Sequence, residues 1–114
     1  MKWLKGLYLG SDVGKRKKRI EKEIRRRKLK EPVYLLFLQE SPRLQLFFMP
    51  SWCWLQPYYQ QRQDLTLIGY TLGRQEAIDL VGRLLQETLA ATGQADIAPW
   101  LAGKEAGREA EDAH

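Results

Sequence analysis

The chain has 114 residues, of which 44% are hydrophobic, and it carries a formal net charge of +5. This length and apolar content are typical of one domain with one modest core. Its single cysteine excludes an internal disulfide, and no apolar run approaches the roughly 18 to 20 residues that a membrane-spanning helix needs. We predict one domain over residues 1–101, a disordered charged tail over 102–114 and a reducing, cytoplasmic location, with no transmembrane segment.

The first predicted element is a short strand. Residues 3–9 are apolar and aromatic, and they stop at Gly10, which is typical of a strand followed by a turn. Ser11 or Asp12 then provides a side-chain oxygen of the kind that caps the N-terminus of a helix.

A basic helix is predicted next. Residues 15–30 hold 11 of the 19 basic residues and two glutamates, a net charge of +9 that leaves −4 for the rest of the chain. At 100° per residue, Val13, Ile20 and Ile24 form a narrow apolar stripe. Pro32 ends the helix, because the residue before a proline is pushed out of the helical region. The basic residues predicted to face outward and to contact phosphates are Lys15, Lys18, Arg19, Lys22, Arg25 and Arg26.

Two strands joined by a hairpin loop are predicted after this helix. Residues 33–38 form a continuous apolar run, as in a central strand covered on both faces, and residues 44–49 follow as a third strand. A helix starting at Pro42 is the competing interpretation, but Pro50 would lie inside it at a cost of roughly 3 kcal/mol. Pro50 instead suits the first turn of a new helix, which Pro57 makes short or kinked.

The last strand and the best helix of the sequence come next. Residues 65–70 are rich in strand-forming side chains, and Gly69 to Gly73 supply the turn into a helix that Gly93 is placed to end. The predicted buried face of this helix consists of Ala77, Ile78, Val81, Leu84, Leu85, Thr88 and Leu89.

The order strand, helix, strand, strand, helix, strand, helix predicts the fold. It indicates an α+β domain with the ferredoxin-like split βαβ plait (βαββαβ) and an extra C-terminal helix. If residues 44–49 are helical, the alternative is a small three-stranded parallel α/β sheet.

No catalytic or metal constellation is visible. The only histidine, His114, is at the end of the predicted tail and cannot serve as a base for Cys53. The shortage of histidine and cysteine argues against an ordinary zinc site, and the glycine pair at Gly10 and Gly14 has one residue too few between its members for a phosphate-cradling loop. We expect a protein that is not an enzyme and needs no cofactor or metal.

Aromatic residues concentrate in one stretch. Residues 47–59 hold half of the twelve aromatic side chains of the chain. They either fill the core of a small domain or form an exposed surface that stacks on unpaired bases or binds a protein. The residues predicted for that surface are Phe47, Trp52, Trp54, Tyr58 and Tyr59.

Two resemblances add to this interpretation. The string LYLGS at residues 7–11 resembles the first-strand motif of RNA-recognition-motif domains, which implies that Tyr8 lies on the open sheet face and stacks on a base. The strings LQPYY at 55–59, GY at 69–70 and EAIDLV at 76–81 resemble a group of short uncharacterised bacterial proteins, and this second resemblance implies a fold without an activity.

Two functions fit this sequence. A segment of uniform positive charge favours a polyanionic partner, so the first is sequence-independent binding of nucleic-acid phosphates by the basic helix. The alternative is a protein-interaction or regulatory module, either a homodimer or a binder of an acidic protein surface, that uses the aromatic segment 47–59.

Overall fold

A computed structural model describes residues 1–112 of the chain, with side chains up to residue 104. The strands are β1 (Lys2–Leu9), β2 (Tyr34–Gln39), β3 (Gln45–Pro50) and β4 (Leu65–Thr71). The helices are α1 (Lys17–Arg26), α2 (Ser51–Trp54), α3 (Pro57–Gln60), α4 (Arg74–Thr92) and α5 (Ile97–Asp112), and a 3-10 turn at Gly14–Arg16 leads into α1.

The four strands form one mixed sheet between two layers of helices. Their order is β1-β4-β2-β3, with β1 parallel to β4 and with β2 antiparallel to both of its neighbours. On one face, Ile20 and Ile24 of α1 and Trp54 of α2 pack in the same buried cluster as Phe37 and Leu67 of the sheet. On the other face, α4 and α5 pack against the sheet through a second buried cluster. Both faces of the sheet are therefore covered.

The α+β class is confirmed, but the ferredoxin-like topology is wrong, and the described residues form five helices where the sequence predicts three. In a split βαβ unit the crossover helix joins two parallel strands. Here β1 is parallel to β4, and β4 is antiparallel to β2, so the two strands that α1 connects run in opposite directions. The three-stranded parallel alternative is also wrong, because residues 45–50 are a strand that pairs antiparallel with β2.

The burial of the strands explains their order. Every residue of β4 is buried, whereas β1 exposes Lys2 and Lys5, as expected of an edge strand. Gly69 lets β1 and β4 approach closely, since a Cβ atom there would lie 2.0 Å from the carbonyl oxygen of Tyr8. No residue with a side chain fits at this position without moving the backbone of β1.

Helix α1 is shorter than predicted and is not capped as predicted. It ends where Arg27 adopts a left-handed conformation (φ 57°), five residues before Pro32, so the expectation that Glu31 and Pro32 end it is wrong. Its start has no side-chain cap. The carboxylate of Asp12 instead accepts hydrogen bonds from the backbone N–H groups of Leu72 (3.2 Å) and Gly73 (2.8 Å), which ties the loop after β1 to the loop after β4.

The predicted C-terminal end of helix α4 is confirmed, but only part of its predicted buried face is. Gly93 is the left-handed C-cap, with its N–H donating to the carbonyl of Leu89. The buried residues of α4 are Ala77, Leu80, Leu84 and Thr88. Ile78 and Leu89, which were predicted to be buried, are 45% and 39% exposed. The buried face is therefore rotated toward Leu80, and an apolar flank of the helix stays at the surface.

The C-terminal region of the structure is helix α5. This helix runs through most of the segment 102–114 that the sequence predicts to be a disordered charged tail, and residues 113 and 114 lie outside the described residues. Among residues 1–112, no helix combines the length and the apolar character needed to cross a membrane.

Candidate nucleic-acid interface

Helix α1 presents its basic side to solvent, as its periodicity predicts. Val13, Ile20 and Ile24 are each at most 1% exposed and anchor the helix and its preceding turn on the sheet. The opposite side is exposed, and it carries all of the basic residues predicted to face outward, namely Lys15, Lys18, Arg19, Lys22, Arg25 and Arg26.

Two of these six residues have partners within the protein. The guanidinium of Arg19 forms ion pairs with Glu23 (Nε–Oε2 3.6 Å) and with Glu31. The guanidinium of Arg25 lies 4.0 Å from the ring centroid of Trp3, in cation–π geometry. The charges of both residues are thus engaged in holding α1 to the rest of the fold.

The other four cations have no such partner among the side chains that the structure describes. Lys15, Lys18, Lys22 and Arg26 form no ion pair with any carboxylate described up to residue 104, although two neighbours do: Lys17 with Glu21 (3.2 Å) and Arg16 with Glu31 (3.8 Å). Lys18, Lys22 and Arg26 follow one another at intervals of four residues, so they form a single ridge along the helix. We call Lys18, Lys22 and Arg26 the cationic ridge.

The loop after α1 folds back toward this ridge. Glu23 is buried, and its carboxylate accepts a hydrogen bond from the N–H of Lys30 (3.0 Å). The left-handed turn at Arg27 is held by the donation of its guanidinium to Gln60 and by its position 5.9 Å from the ring centroid of Trp54. A buried acid and one strained residue therefore fix the path of a loop that carries further cations.

A basic hollow of about 250 Å³ results between helix and loop. We define the basic hollow by its lining residues, which are Arg19, Lys22, Glu23, Arg26, Lys28 and Lys30. Five cations converge there on one carboxylate, and that carboxylate is already bonded to Arg19 and to the N–H of Lys30. The hollow has the charge and the donors that a phosphate group requires.

A second hollow adjoins the first. Its volume is about 220 Å³, and it is lined by Leu29, Lys30, Glu31, Pro32, Ser51, Trp52 and Leu55, so it shares Lys30 with the basic hollow. We call it the tryptophan hollow, because the side chain of Trp52 on α2 is 54% exposed. The exposed part of the aromatic segment thus lies next to the basic loop.

The predicted aromatic surface is only partly a surface. Trp54 is 1% exposed and packs against Phe37 in the core, so its assignment to an interaction surface is wrong. Phe47 and Tyr59 are half-buried against the same core cluster. Tyr58 is 66% exposed, with the guanidinium of Arg62 at 5.8 Å from its ring centroid. Trp52 and Tyr58 are the two members that a ligand can reach over most of the side chain.

Tyr8 does not lie on an open sheet face. Helices cover both faces, and the hydroxyl of Tyr8 accepts a hydrogen bond from the ammonium of Lys104 on α5 (2.9 Å). The same ammonium lies 5.5 Å from the centroid of the Tyr8 ring. Tyr8 is partly buried and engaged by Lys104, so the open sheet face that the resemblance to RNA-recognition motifs implies for it is not present.

Sequence reasoning missed the loop cations Lys28 and Lys30, because it placed them on a continued helix. Leu29 carries the signal that the helix stops. On a continued helix it would lie about 140° from Ile24, among the charged residues, yet an apolar side chain favours burial. In the structure Leu29 leaves the helical phase and packs against the core cluster that contains Ile24.

The described residues contain no group of three or more metal-ligating side chains, and His114 lies outside them. Comparison of the chain with protein-family models, with curated proteins and with solved structures gives no match.

Proposed function

We propose that this chain is a non-catalytic binding protein that contacts nucleic-acid phosphates through the exposed side of α1. The observation that supports the proposal is the cationic ridge, which has no carboxylate partner among the side chains described. Three like charges at i, i+4 spacing repel one another, and a helix whose only task is solubility would mix the two signs. A row of phosphates offsets this repulsion and releases counterions when it binds.

The expected contacts are independent of base sequence. Lysine and arginine side chains on one helix ridge reach phosphate oxygens, which are the same in every sequence. Lys15 lies near the N-terminal end of the ridge and extends the charged surface, whereas Arg19 is engaged by Glu23 and Glu31 and Arg25 by the ring of Trp3. Affinity for nucleic acid should therefore depend strongly on salt and weakly on sequence.

A binding titration with two matched double variants tests the proposal. In Lys18→Ala with Lys22→Ala, two ridge cations are lost; in Arg43→Ala with Arg74→Ala, two exposed cations outside the basic segment are lost, so the net charge changes equally. We expect the ridge variant alone to bind a labelled oligonucleotide more weakly. We also expect the slope of log affinity against log salt to become shallower by about 0.9 for each duplex phosphate contact removed. Equal weakening in both variants, or no affinity at low salt, would overturn the proposal.

The exposure of Trp52 and Tyr58 favours a second candidate function. Large exposed aromatic side chains anchor protein interfaces, so the chain would then form a homodimer or dock on an acidic protein surface. Light scattering at micromolar concentration measures the molecular mass and so distinguishes a monomer from a homodimer. A dimer that dissociates on Trp52→Ala would favour this function, and a stable monomer argues against self-association.

A further inference from the structure

The basic hollow and the tryptophan hollow share the lining residue Lys30. One hollow is rich in cations, and the other holds Trp52 together with the apolar side chains of Leu29, Pro32 and Leu55. A ligand that spans them must therefore carry a negative charge next to a flat apolar group. A nucleotide unit has this composition, because each phosphate is followed by a base.

We propose that the nucleic acid bound by this protein is single-stranded, with a phosphate in the basic hollow and the adjacent unpaired base against Trp52. This proposal rests on the proposed function and adds the strandedness of the ligand. In a duplex the bases are stacked inside the helix and cannot reach a side chain on the protein surface, whereas an unpaired base can stack on an exposed aromatic ring.

The position of Trp52 supports a stacking role. Its neighbour Tyr34 lies at a centroid distance of 6.2 Å with an interplanar angle of 75°, so this contact is perpendicular rather than a parallel stack, and the indole stays 54% exposed. The indole belongs to α2, whose other tryptophan, Trp54, is fixed in the core. The exposed ring is thus presented from a rigid element, which lowers the entropy cost of binding.

The two acids near the hollows offset only part of their positive charge. Glu23 is engaged by Arg19 and by the N–H of Lys30, and Glu31 is engaged by Arg16 and Arg19. These contacts use the two carboxylates to position the helix and the loop. Lys22, Arg26 and Lys28 form no ion pair with any carboxylate described up to residue 104, and we assign the phosphate to them.

Two oligonucleotides and three variants test the proposal. The probes are an oligothymidylate and a hairpin duplex with the same number of phosphates, and the variants are Trp52→Ala, Trp52→Phe and the control Tyr58→Ala, which removes an aromatic ring of similar exposure. We expect Trp52→Ala to weaken binding of the single strand roughly 5- to 150-fold, the range that corresponds to stacking one base, and to leave duplex binding unchanged. Trp52→Phe should retain most of the affinity, and Tyr58→Ala should bind as the wild type does.

The outcomes separate this proposal from the proposed function. If Trp52→Ala binds the single strand as tightly as the wild type, or loses affinity for both probes equally, base stacking on Trp52 is overturned while salt-dependent phosphate binding still stands. If neither probe binds the wild type at low salt, both proposals fail. Lys30→Ala provides a fourth variant. We expect it to weaken binding of the single strand without changing the thermal unfolding midpoint, and unchanged binding would contradict the placement of the phosphate in the basic hollow.

Discussion

Acidic residues hold the basic surface in place at the level of single side chains. Glu21, Glu23 and Asp12 each form hydrogen bonds with another element or loop, and none of them belongs to the exposed basic side. Glu21 is half-buried and accepts a hydrogen bond from the hydroxyl of Tyr70 (2.8 Å), a residue of the central strand β4. The few acids of this region therefore fix the backbone, and the cations outside are left to solvent or to a ligand.

The bond between Tyr70 and Glu21 predicts a pH dependence. Burial, followed by the hydrogen bond to Glu21 and the negative charge of that residue, raises the pKa of Tyr70 above its ordinary value of about 10. The folded chain holds the hydroxyl proton more tightly than the unfolded chain does. Its stabilising effect is therefore complete below about pH 10 and is lost as the pH rises further.

The variant Tyr70→Phe isolates this effect. We expect it to lower the free energy of unfolding at pH 7 by about 1 to 3 kcal/mol, since it removes a hydrogen bond to a charged acceptor. Above about pH 10 the advantage of the wild type should shrink by up to about 1.4 kcal/mol per pH unit. Denaturant unfolding across the alkaline range measures both quantities, with Tyr58→Phe, an exposed tyrosine, as the control at pH 7. A difference that stays constant up to pH 11.5 would contradict the assignment.

The sequence could show that the two tryptophans of α2 differ, but not which one is buried. Residues two apart on a helix point about 200° away from each other, so Trp52 and Trp54 cannot share a face. Their assignment depends on how the four-residue helix sits on the sheet. That position is set by two hydrogen bonds between Val33, just before β2, and Ser51. The N–H of Ser51 donates to the carbonyl of Val33 (2.7 Å), and the N–H of Val33 donates to the hydroxyl of Ser51 (3.2 Å). A contact between segments that are distant in the sequence cannot be predicted from the residues on either side of it.

At the level of elements, the end of α1 decides the shape of the basic surface. A helix that continued to residue 30 would be a rod, and its cations would spread around the exposed half. Because the chain turns at Arg27 instead, Lys28 and Lys30 return toward Lys22 and Arg26 and close the basic hollow. The hollow thus depends on one residue in a conformation that costs a side chain roughly 1 to 2 kcal/mol.

A comparison of glycine and alanine at this position tests the turn. Arg27→Gly and Arg27→Ala both lose the contacts with Gln60 and Trp54, but only glycine adopts the left-handed conformation without strain. We expect the glycine variant to be more stable by about 1 kcal/mol. At Lys22, in the helix interior, we expect the reverse order by about 1 kcal/mol. Equal stability of the two Arg27 variants in denaturant unfolding would show that this turn is not left-handed.

The strands were predictable from the glycine and proline residues that flank them, whereas the end of α1, the helix α5 and the order of the strands in the sheet were not. Glycine and proline at the turns marked the strands to within one or two residues, since they act locally. Strand order depends on pairing between distant segments, and β4 enters the sheet between β1 and β2. One signal was available: Lys2 and Lys5 mark β1 as an edge strand, while residues 65–71 carry no charge at all. This difference in charge favours β4 over β1 as a central strand.

At the scale of the whole molecule, the charge is divided unequally. The segment 15–30 carries +9 and the rest of the chain −4, and the structure gathers much of that positive charge on α1 and the loop that follows it. The first turn of α1 contains no acidic residue, although the N-terminus of a helix favours acids and disfavours cations. The ridge is therefore unfavourable for folding, which is the pattern expected where charges serve a ligand at the expense of stability.

Because the cationic ridge is unfavourable for folding, we predict that the ridge variant is more stable than the wild type. Lys18→Ala with Lys22→Ala removes a cation from the first turn of α1 and a like-charge pair at i, i+4. We expect the free energy of unfolding at low ionic strength to rise by about 0.5 to 1 kcal/mol. The gain should shrink with added salt, because the Debye length falls to about 10 Å at 0.1 M. Arg43→Ala, in the loop between β2 and β3, should leave stability within about 0.5 kcal/mol of the wild type.

Denaturant unfolding at two salt concentrations measures these differences. A ridge variant that is less stable than the wild type would show that the cations are needed for the fold itself, and then the same substitutions could not be used to argue for a ligand.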